Sequence, residues 1–307
     1  MFGAAAAALY YLLQPLHLRI AVGPPGSDDH KLVQLMAQSF ARDGSPVRLS
    51  LINTPGTAES IALFTSGKTD LAVARGDLNL PANAESVAIL RKNVVVLWAP
   101  SGLAPKGSKK TPVPKIKSLD ELTGHRVGVV GRTQANVTLL RTILTEAGIN
   151  ADKVPVTQFG VNQLAEMARD QTIDAFMTVG PLNSKITVDA INATATARGE
   201  PKFLPIEVSE TIAKKHPIYE SEEIPGSIFA SSPARPDDKV ETVSVNHLII
   251  APKSLADTAV GAFARQLFTV RQQLARELPS AAQIEKPDTA SASSDERRPT
   301  SRCCARS

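Results

Sequence analysis

The chain has 307 residues, of which 43% are hydrophobic and 21% charged, enough for one large or two medium-sized globular domains. This composition excludes a wholly disordered chain and a collagen-like fibre. Basic residues number 34 against 30 acidic ones and form no dense run, which argues against nucleic acid as the main partner. Both cysteines, Cys303 and Cys304, lie in the last five residues, so the body can form no disulfide framework and no cysteine metal site.

Residues 1–17 are predicted to be a truncated export signal or an N-terminal membrane anchor. The first 13 residues, MFGAAAAALYYLL, carry no charge, and twelve of the thirteen are apolar. This stretch is shorter than the roughly 20 residues of a membrane span, and no basic residue precedes it as in a secretory signal. A buried first helix is the alternative interpretation.

The tail, residues 287–307, is predicted to be disordered because it contains no Val, Ile, Leu, Met, Phe, Trp or Tyr. From about Ala290 the composition turns abruptly rich in Ser, Arg and Cys. We interpret this change as the translation of a shifted reading frame or of a truncated gene. The adjacent cysteines are then incidental, because neighbouring cysteines form a disulfide only with strain.

Between these ends, the chain repeats a short aliphatic strand, a turn rich in Gly, Pro, Ser and Thr, and an amphipathic helix. This alternation is typical of an α/β fold with mostly parallel strands. The first lobe is predicted over residues 18–100, with Ser27 as the N-cap of its first helix. The predicted strands are residues 18–22, 47–52, 70–74 and 87–100, and the predicted inward-facing helix residues are Leu32, Leu35, Met36, Phe40, Ile61 and Phe64.

A loop over residues 101–114, rich in Gly, Pro, Ser and Lys, opens a second predicted lobe over residues 101–202. Residues 203–286 are predicted to return to the first lobe and to end in a long helix, opened by a capping box of Ser254 and Asp257. The predicted strands are residues 125–130, 174–179 and 243–252, and the predicted inward-facing helix residues are Val137, Leu140, Ile143, Leu144, Ala147, Leu164, Met167, Ala168, Ile186, Ile191, Val260, Phe263, Leu267, Val270 and Leu274.

Motifs of enzymes and metal sites are missing from the sequence. It has no G-x-G-x-x-G, no P-loop, no H-E-x-x-H and no G-x-S-x-G. The five histidines are scattered without metal-ligand spacing, and the body offers no convincing His–acid pair. Asp28, Asp29 and His30 follow Ser27 at a helix start, where capping explains them better than catalysis. We therefore predict no catalytic residue, no metal site and no cofactor.

Four turns each follow the carboxyl end of a predicted strand and precede a predicted helix. In open α/β sheets ligands bind at this edge, where the N–H groups and the dipole of helix N-termini attract anions. Two turns from each lobe are therefore predicted to hold one small carboxylate. The alternative is that Ser, Thr, Asn and Gly occur there only as helix caps. The turns are GPPGS (23–27), NTPGT (53–57), GRTQAN (131–136) and GPLNS (180–184).

Two arginines follow predicted strands directly and should lie at the same edge, Arg75 in ARGD and Arg132 in VGRT. A guanidinium group can hold a carboxylate by two parallel hydrogen bonds, so both are candidate anion ligands. For either one, a solvated surface arginine is the alternative interpretation. Asp77 could instead orient Arg75.

Five stretches of the body are distinctive in combination. They are LRIAVGPPGSDDHKLVQLMAQSFA, GKTDLAVARGDL, AILRKNVVVLWAP, RVGVVGRTQANVTLLRTILTEAGI and DAFMTVGPLNSKIT. In content and order they resemble the TAXI family of solute-binding proteins that serve TRAP transporters, over roughly residues 18–289. The turn GRTQAN departs from the Gly-Ser-Gly-Thr-like turn of many members, so the usual ligand of the family is not assumed.

The resemblance implies a type II periplasmic binding-protein fold, with two α/β lobes that close on a ligand in the cleft between them. It implies a monomeric receptor in the periplasm, anchored to the inner membrane if the N-terminal segment is kept. This receptor would deliver a small organic anion, a carboxylate or an amino acid, to the permease subunits of a TRAP-type transporter. The ligand contacts that it implies are Gly23, Ser27, Thr54, Gly56, Thr57, Arg132, Thr133, Gln134, Asn136, Pro181, Asn183 and Ser184.

Two other functions stay open at this point. One is a sensory module whose ligand-bound state is recognised by a membrane protein other than a permease. The other is an enzyme on the same fold, which would need a nucleophile, a base or a cofactor lysine in the cleft. A neighbouring permease gene would favour transport, and a neighbouring sensor kinase gene would favour signalling.

Overall fold

The computed structural model describes residues 14–103 and 114–287, which form a mixed α/β fold. The chain divides into two compact units. The first unit contains the residues up to 91 and those from 246 onward, and the second contains residues 92–245. The predicted two-lobed α/β class is confirmed. The predictions for residues 1–13, for most of the loop 101–114 and for the tail after residue 287 lie outside the described residues.

The first unit contains five complete elements before the chain leaves it and one long helix after the chain returns. Two strands, β4 and β12, belong partly to this unit and partly to the second. The elements are β1 (Leu16–Val22), α1 (Asp28–Arg42), β2 (Val47–Asn53), α2 (Thr57–Thr65), β3 (Leu71–Arg75), β4 (Ala84–Pro100), β12 (Val240–Pro252) and α7 (Asp257–Glu277), followed by a 3₁₀ helix (Pro279–Gln283).

Strand β1 lies at the centre of the parallel strands of the first unit. It pairs in parallel with β2 on one side and with β3 on the other. Strand β3 pairs antiparallel with β12, so that Arg75 lies opposite His247. Because β1, β2 and β3 run in the same direction, the turns that follow them lie at one edge of the sheet, as the sequence predicted.

Helices α1 and α7 pack through apolar residues spaced by three and four positions. In α7, the predicted residues Val260, Phe263, Leu267, Val270 and Leu274 are all buried. The same core contains Leu32, Met36 and Phe40 of α1, and the rings of Phe40 and Phe263 meet edge to face at 6.1 Å between centroids. The predicted capping box of α7 is wrong, because the helix begins at Asp257 after Ala256 and has no side-chain cap.

The second unit contains two short 3₁₀ helices and a small hairpin besides its main elements. The 3₁₀ helices are Leu119–Leu122 and Ala151–Lys153. The main elements are β5 (Val127–Val130), α3 (Gln134–Glu146), β6 (Val156–Phe159), α4 (Leu164–Arg169), β7 (Ala175–Gly180), α5 (Lys185–Arg198), β8 (Pro201–Phe203), α6 (Ser209–Lys215) and β9 (Tyr219–Ile224), and the hairpin is β10 (Ala230–Ser231) with β11 (Ala234–Arg235).

Strand β5 is the central parallel strand of the second unit. It pairs in parallel with β6 and with β7, so the carboxyl ends of these three strands again share an edge. Strand β7 pairs antiparallel with β4, whose Trp98 is fully buried against Phe176. The indole N–H of Trp98 donates a hydrogen bond to the Thr194 hydroxyl at 3.2 Å, which satisfies its single polar group.

The limits of the units differ from the predicted lobe limits. The division falls inside β4, between Arg91 and Lys92, and inside β12, between Val245 and Asn246. Residues 203–245 therefore belong to the second unit, whereas the sequence assigned them to the first. The physical reason is strand pairing, since β8 pairs with the second half of β4 and β9 pairs with the first half of β12.

Two further details of the second unit correct the sequence analysis. Strand β6, which the sequence analysis did not identify, adds a third parallel strand and a third turn to the edge. Ile186 was predicted to face inward on α5, but it is 42% exposed, while Ile191 is buried. No helix among residues 14–103 and 114–287 is long and apolar enough to cross a membrane.

Candidate functional site

In the first unit, the turns after β1 and β2 are joined by Thr54. Its hydroxyl lies 2.6 Å from the Val22 carbonyl, 2.8 Å from the Gly56 carbonyl and 2.7 Å from the Ser60 hydroxyl. Its backbone N–H also donates to Val22, at 2.9 Å, and the residue is 5% exposed. Thr54 therefore holds the two turns together, and the single proton of its hydroxyl is committed to these neighbours.

The two helix starts at this edge are capped differently. Ser27 accepts a hydrogen bond from the backbone N–H of His30 at 3.2 Å, so the predicted N-cap of α1 is confirmed. Helix α2 begins after Gly56, which provides no side-chain cap. Thr57 and Gly56 are partly exposed, whereas Gly23 is buried. The start of α2 is thus the part of this edge whose backbone N–H groups lack a side-chain acceptor at the cap position.

Arg75 at the end of β3 is held by Asp77. Two contacts join their side chains, Nε to one carboxylate oxygen at 2.7 Å and a terminal nitrogen to the other at 2.8 Å. Both side chains are buried, at 6% and 1% exposure. Burial raises the pKa of Asp77, and the charge of Arg75 opposes that rise. A ligand carboxylate at Arg75 would have to displace this carboxylate, which is the orienting role that the sequence analysis considered for Asp77.

Next to this pair lies a buried ionic contact that the sequence analysis did not find. Asp29, in the first turn of α1, lies 3.1 Å from Arg91 of β4 and 3.1 Å from Nδ1 of His247 of β12. A carboxylate only accepts hydrogen bonds, so the proton of the imidazole lies on Nδ1. His247 and Asp29 are a His–acid pair 218 residues apart in sequence, and the prediction of no such pair is wrong in this respect.

The protonation of this cluster follows from burial and charge. Burial lowers the pKa of His247, and the charges of Arg91 and Arg75 lower it further against the opposing effect of Asp29. For Asp29, burial acts to raise the pKa, but His247 and Arg91 outweigh it and lower the pKa. At neutral pH the cluster therefore contains a charged Asp29 and a neutral His247. Asp29 and His247 are each 6% exposed, and their contact joins the start of α1 to β12.

In the second unit, three of the predicted residues maintain the turns. The side-chain amide of Asn136 is buried and donates to the Val130 carbonyl at 3.0 Å. Gly131 has φ 98°, and a Cβ there would lie 3.1 Å from that amide, so this turn needs glycine. Ser184 accepts from the backbone N–H of Thr187 at 3.3 Å and caps α5, and Pro181 is buried.

The remaining predicted residues of this unit are exposed at the sheet edge. They include Arg132, Thr133 and Gln134 after β5 and Asn183 after β7. Thr133 is the N-cap of α3 but makes no side-chain capping hydrogen bond. Arg132 contacts Gln163 at 3.4 Å and forms no ion pair with any carboxylate among the described residues. The start of α3 thus combines backbone N–H groups, two polar side chains and a positive charge that forms no ion pair within the described part of the chain.

A third turn, which the sequence analysis missed, lies beside Arg132. It follows β6 and runs from Gly160 to Gln163 at the start of α4. Just before it, the side-chain amide of Gln158 donates to the carbonyls of Gly131 and Thr133, at 3.2 and 3.0 Å. The sequence signal was present in the alternating residues V-T-Q-F before a glycine, but the strand has only four residues.

Among residues 14–103 and 114–287, no group of three His, Cys, Asp or Glu residues is placed to hold a metal ion. The chemistry that the exposed edge of the second unit offers is hydrogen bonding and charge attraction toward an anion.

Comparison with known proteins gives a family and a fold. The model of the NMT1-like family matches residues 20–296. The protein XAC2383 from Xanthomonas citri, solved with ATP, aligns at 11% identity over 90% of this chain and 92% of its own, with a TM-score of 0.52. Its chloride-bound structure aligns at 13% identity over 90% and 93%, with a TM-score of 0.50. The periplasmic aliphatic sulphonate binding protein SsuA from Escherichia coli aligns at 14% over 91% and 84%, with a TM-score of 0.47. No curated protein matches the chain in sequence.

Proposed function

The chain belongs to the NMT1-like family, and we propose that it is an extracytoplasmic solute-binding receptor for a small organic anion. Its second unit exposes Arg132, which has no carboxylate partner among the residues that the structure describes, beside a helix start without a side-chain cap. The ligand is a carboxylate or an amino acid. The two-lobed α/β fold supports this proposal. The main observation behind the proposal is that the charge of Arg132 is available to a ligand, whereas Asp77 compensates the charge of Arg75.

The electrostatics of the two arginines explain why Arg132 is the better candidate. Arg75 is buried and bonded to Asp77 through two contacts, so two of its donors are occupied and its charge is compensated. Arg132 is exposed at the carboxyl edge of β5, where the positive end of the α3 dipole adds to its attraction for an anion. Charge-assisted hydrogen bonds of this kind contribute about 1.5 to 3 kcal/mol each.

The first experiment is a thermal-shift screen of the folded protein with carboxylates, amino acids and inorganic anions. An anion that binds only the native state raises the melting temperature, and the stabilisation grows with the logarithm of one plus the ratio of the anion concentration to Kd. The absence of any shift on protein shown to be folded would refute the small-anion function.

The second experiment tests Arg132 itself. Arg132→Ala should weaken binding of the anion found in the screen at least about tenfold, or about 1.4 kcal/mol, without changing the fold. The matched control is Arg141→Ala on α3, which removes the same charge from an arginine that is 50% exposed and paired with Asp152. Equal losses in both variants would mean that only the net charge matters, and no loss in Arg132→Ala would exclude this residue from the site.

The delivery partner is part of the same proposal. The sequence resemblance to the TAXI family supports permease subunits of the TRAP type and a location in the periplasm. Co-purification with a permease from the native membranes tests the partner. Recovery of an ABC permease instead would replace the TRAP assignment, and recovery of a sensor kinase would replace transport by signalling.

A further inference from the structure

The side chain of Gln163 folds back over the turn that follows β6. Its Oε1 accepts a hydrogen bond from the backbone N–H of Gly160 at 2.9 Å and lies 3.4 Å from a terminal nitrogen of Arg132. The turn itself packs against the arginine, since a Cβ at Gly160 would lie 3.4 Å from Nε of Arg132. The guanidinium group of Arg132 therefore lies against this turn, with Nε near Gly160 and a terminal nitrogen near the Gln163 amide oxygen.

The orientation of the Gln163 amide is determined by its neighbours. Its Nε2 donates to the carboxylate of Glu166 at 3.1 Å, and a carboxylate can only accept. The amide oxygen therefore faces the two donors, the Gly160 N–H and the Arg132 guanidinium. The reversed amide would place an NH₂ group against both donors and would leave them without an acceptor.

A neutral acceptor has a different effect on an arginine from a carboxylate. Asp77 orients Arg75 and also cancels its charge. An amide oxygen restrains a guanidinium through its dipole but leaves the full positive charge available to an incoming anion. Restraint before binding also lowers the side-chain entropy that binding would otherwise remove.

We infer that Gln163 is a positioning residue that holds Arg132 for an anionic ligand and keeps its charge uncompensated. This inference rests on the proposed function. The turn after β6 then has a role in ligand binding. The side chain at position 163 also determines the selectivity for anions, because an amide leaves the charge of Arg132 available and a carboxylate would not.

The first test uses inorganic sulfate at fixed ionic strength as the probe, with stabilisation against heat as the measurement. Gln163→Glu keeps the oxygen that the Gly160 N–H requires but places a negative charge beside Arg132. It should weaken sulfate binding about as much as Arg132→Ala does, by at least about tenfold. Gln163→Leu removes the acceptor without adding a charge, so it should weaken sulfate binding by a smaller factor. In the Arg132→Ala background, Gln163→Leu should have little further effect, because no guanidinium group is left to position. Gln171→Glu, at an exposed glutamine of the same unit whose amide bonds the Arg169 carbonyl, controls for net charge.

The outcomes separate the two proposals. If Arg132→Ala weakens sulfate binding and Gln163→Glu does not, Gln163 has no positioning role while the anion site stands. If the effects of Gln163→Leu and Arg132→Ala add in the double variant, Gln163 acts independently of Arg132 and the inference is overturned. If Arg132→Ala has no effect on sulfate, the proposed anion site fails and the inference fails with it.

The second test needs no bound anion. Phenylglyoxal labels free guanidinium groups, and peptide mass spectrometry gives the rate at Arg132. Gln163→Glu should slow this labelling several-fold through the new ion pair, whereas Gln163→Leu should not slow it. An unchanged rate in Gln163→Glu would show that the side chain at 163 does not contact Arg132 in solution, which overturns the inference.

Discussion

The substitution Asp29→Ala should destabilise the protein by about 3 kcal/mol. Asp29 is buried at the start of α1, where its two oxygens lie 3.1 Å from Arg91 and 3.1 Å from His247. Removing the carboxylate leaves the Arg91 side chain, which is 12% exposed, without its buried counter-charge. It also leaves the Nδ1 proton of His247 without an acceptor.

The magnitude follows from what breaking a buried ion pair costs. Removal of one partner typically costs about 3 to 5 kcal/mol, because a charge stays buried without compensation. We expect the lower end of this range, since Arg91 keeps a second contact with Asp28 at 3.3 Å. That carboxylate is 64% exposed, so solvent screens it and it compensates Arg91 only partly.

Urea denaturation followed by circular dichroism at pH 7 measures the free energy of unfolding, with Asp28→Ala as the matched control. Both variants lose one negative charge from the first turn of α1 and one contact with Arg91, so the effect of the helix dipole is common to both. Asp28→Ala should cost at most about 1 kcal/mol. Equal losses in the two variants, or a loss in Asp29→Ala below about 1 kcal/mol, would refute the assignment of Asp29 as the buried counter-ion of this cluster.

Two other predictions concern pH and helix capping. The lowered pKa of His247 means that the unfolded chain binds a proton near pH 6.5 before the folded protein does, so stability is full above that pH and falls as the pH drops below it. Between pH 7.5 and 5.5, the free energy of unfolding of the His247→Gln variant should therefore fall by about 1 kcal/mol less than that of the wild type, as measured by urea titration. Equal decreases would show that the pKa of His247 is not lowered by folding. Ser27→Ala should lower the free energy of unfolding by about 1 kcal/mol, because it removes the cap of α1. Ser254→Ala should leave it nearly unchanged, because Ser254 does not cap α7. A larger loss in Ser254→Ala than in Ser27→Ala would contradict the observed helix starts.

The elements that the sequence predicted well depend on neighbours within a few residues. The inward faces of α1 and α7 followed from apolar residues at intervals of three and four, and the cap at Ser27 followed from its position before Asp28 and Asp29. The capping box at Ser254 failed although its spacing was correct, because Asp257 is the first residue of α7, not the third. Short capping patterns identify a helix start only to within a few residues.

The sequence also predicted some parts of the candidate site and missed others. The turns after β1, β2, β5 and β7 were predictable because parallel strands place their carboxyl ends at one edge. The turn after β6 was missed because a four-residue strand gives a weak periodic signal. The predicted ligand contacts at Thr54 and Asn136 could not be separated from structural roles, since their hydrogen-bond partners lie at strand ends that only the fold brings near.

The sequence by itself determined the α/β class, the main strands and helices, and the positions of the polar turns, because each depends on hydrophobic periodicity and local backbone preferences. Only the tertiary structure decided which charges are compensated. Arg75 and Arg132 look equivalent after their strands, yet one is buried against Asp77 and the other is exposed beside the neutral Gln163. Asp29 meets Arg91 and His247 across 62 and 218 positions, and burial removes the water that would otherwise screen their charges. The sequence suggested the local pair of Arg75 and Asp77 only as an alternative, because burial and packing decide whether two such charges meet.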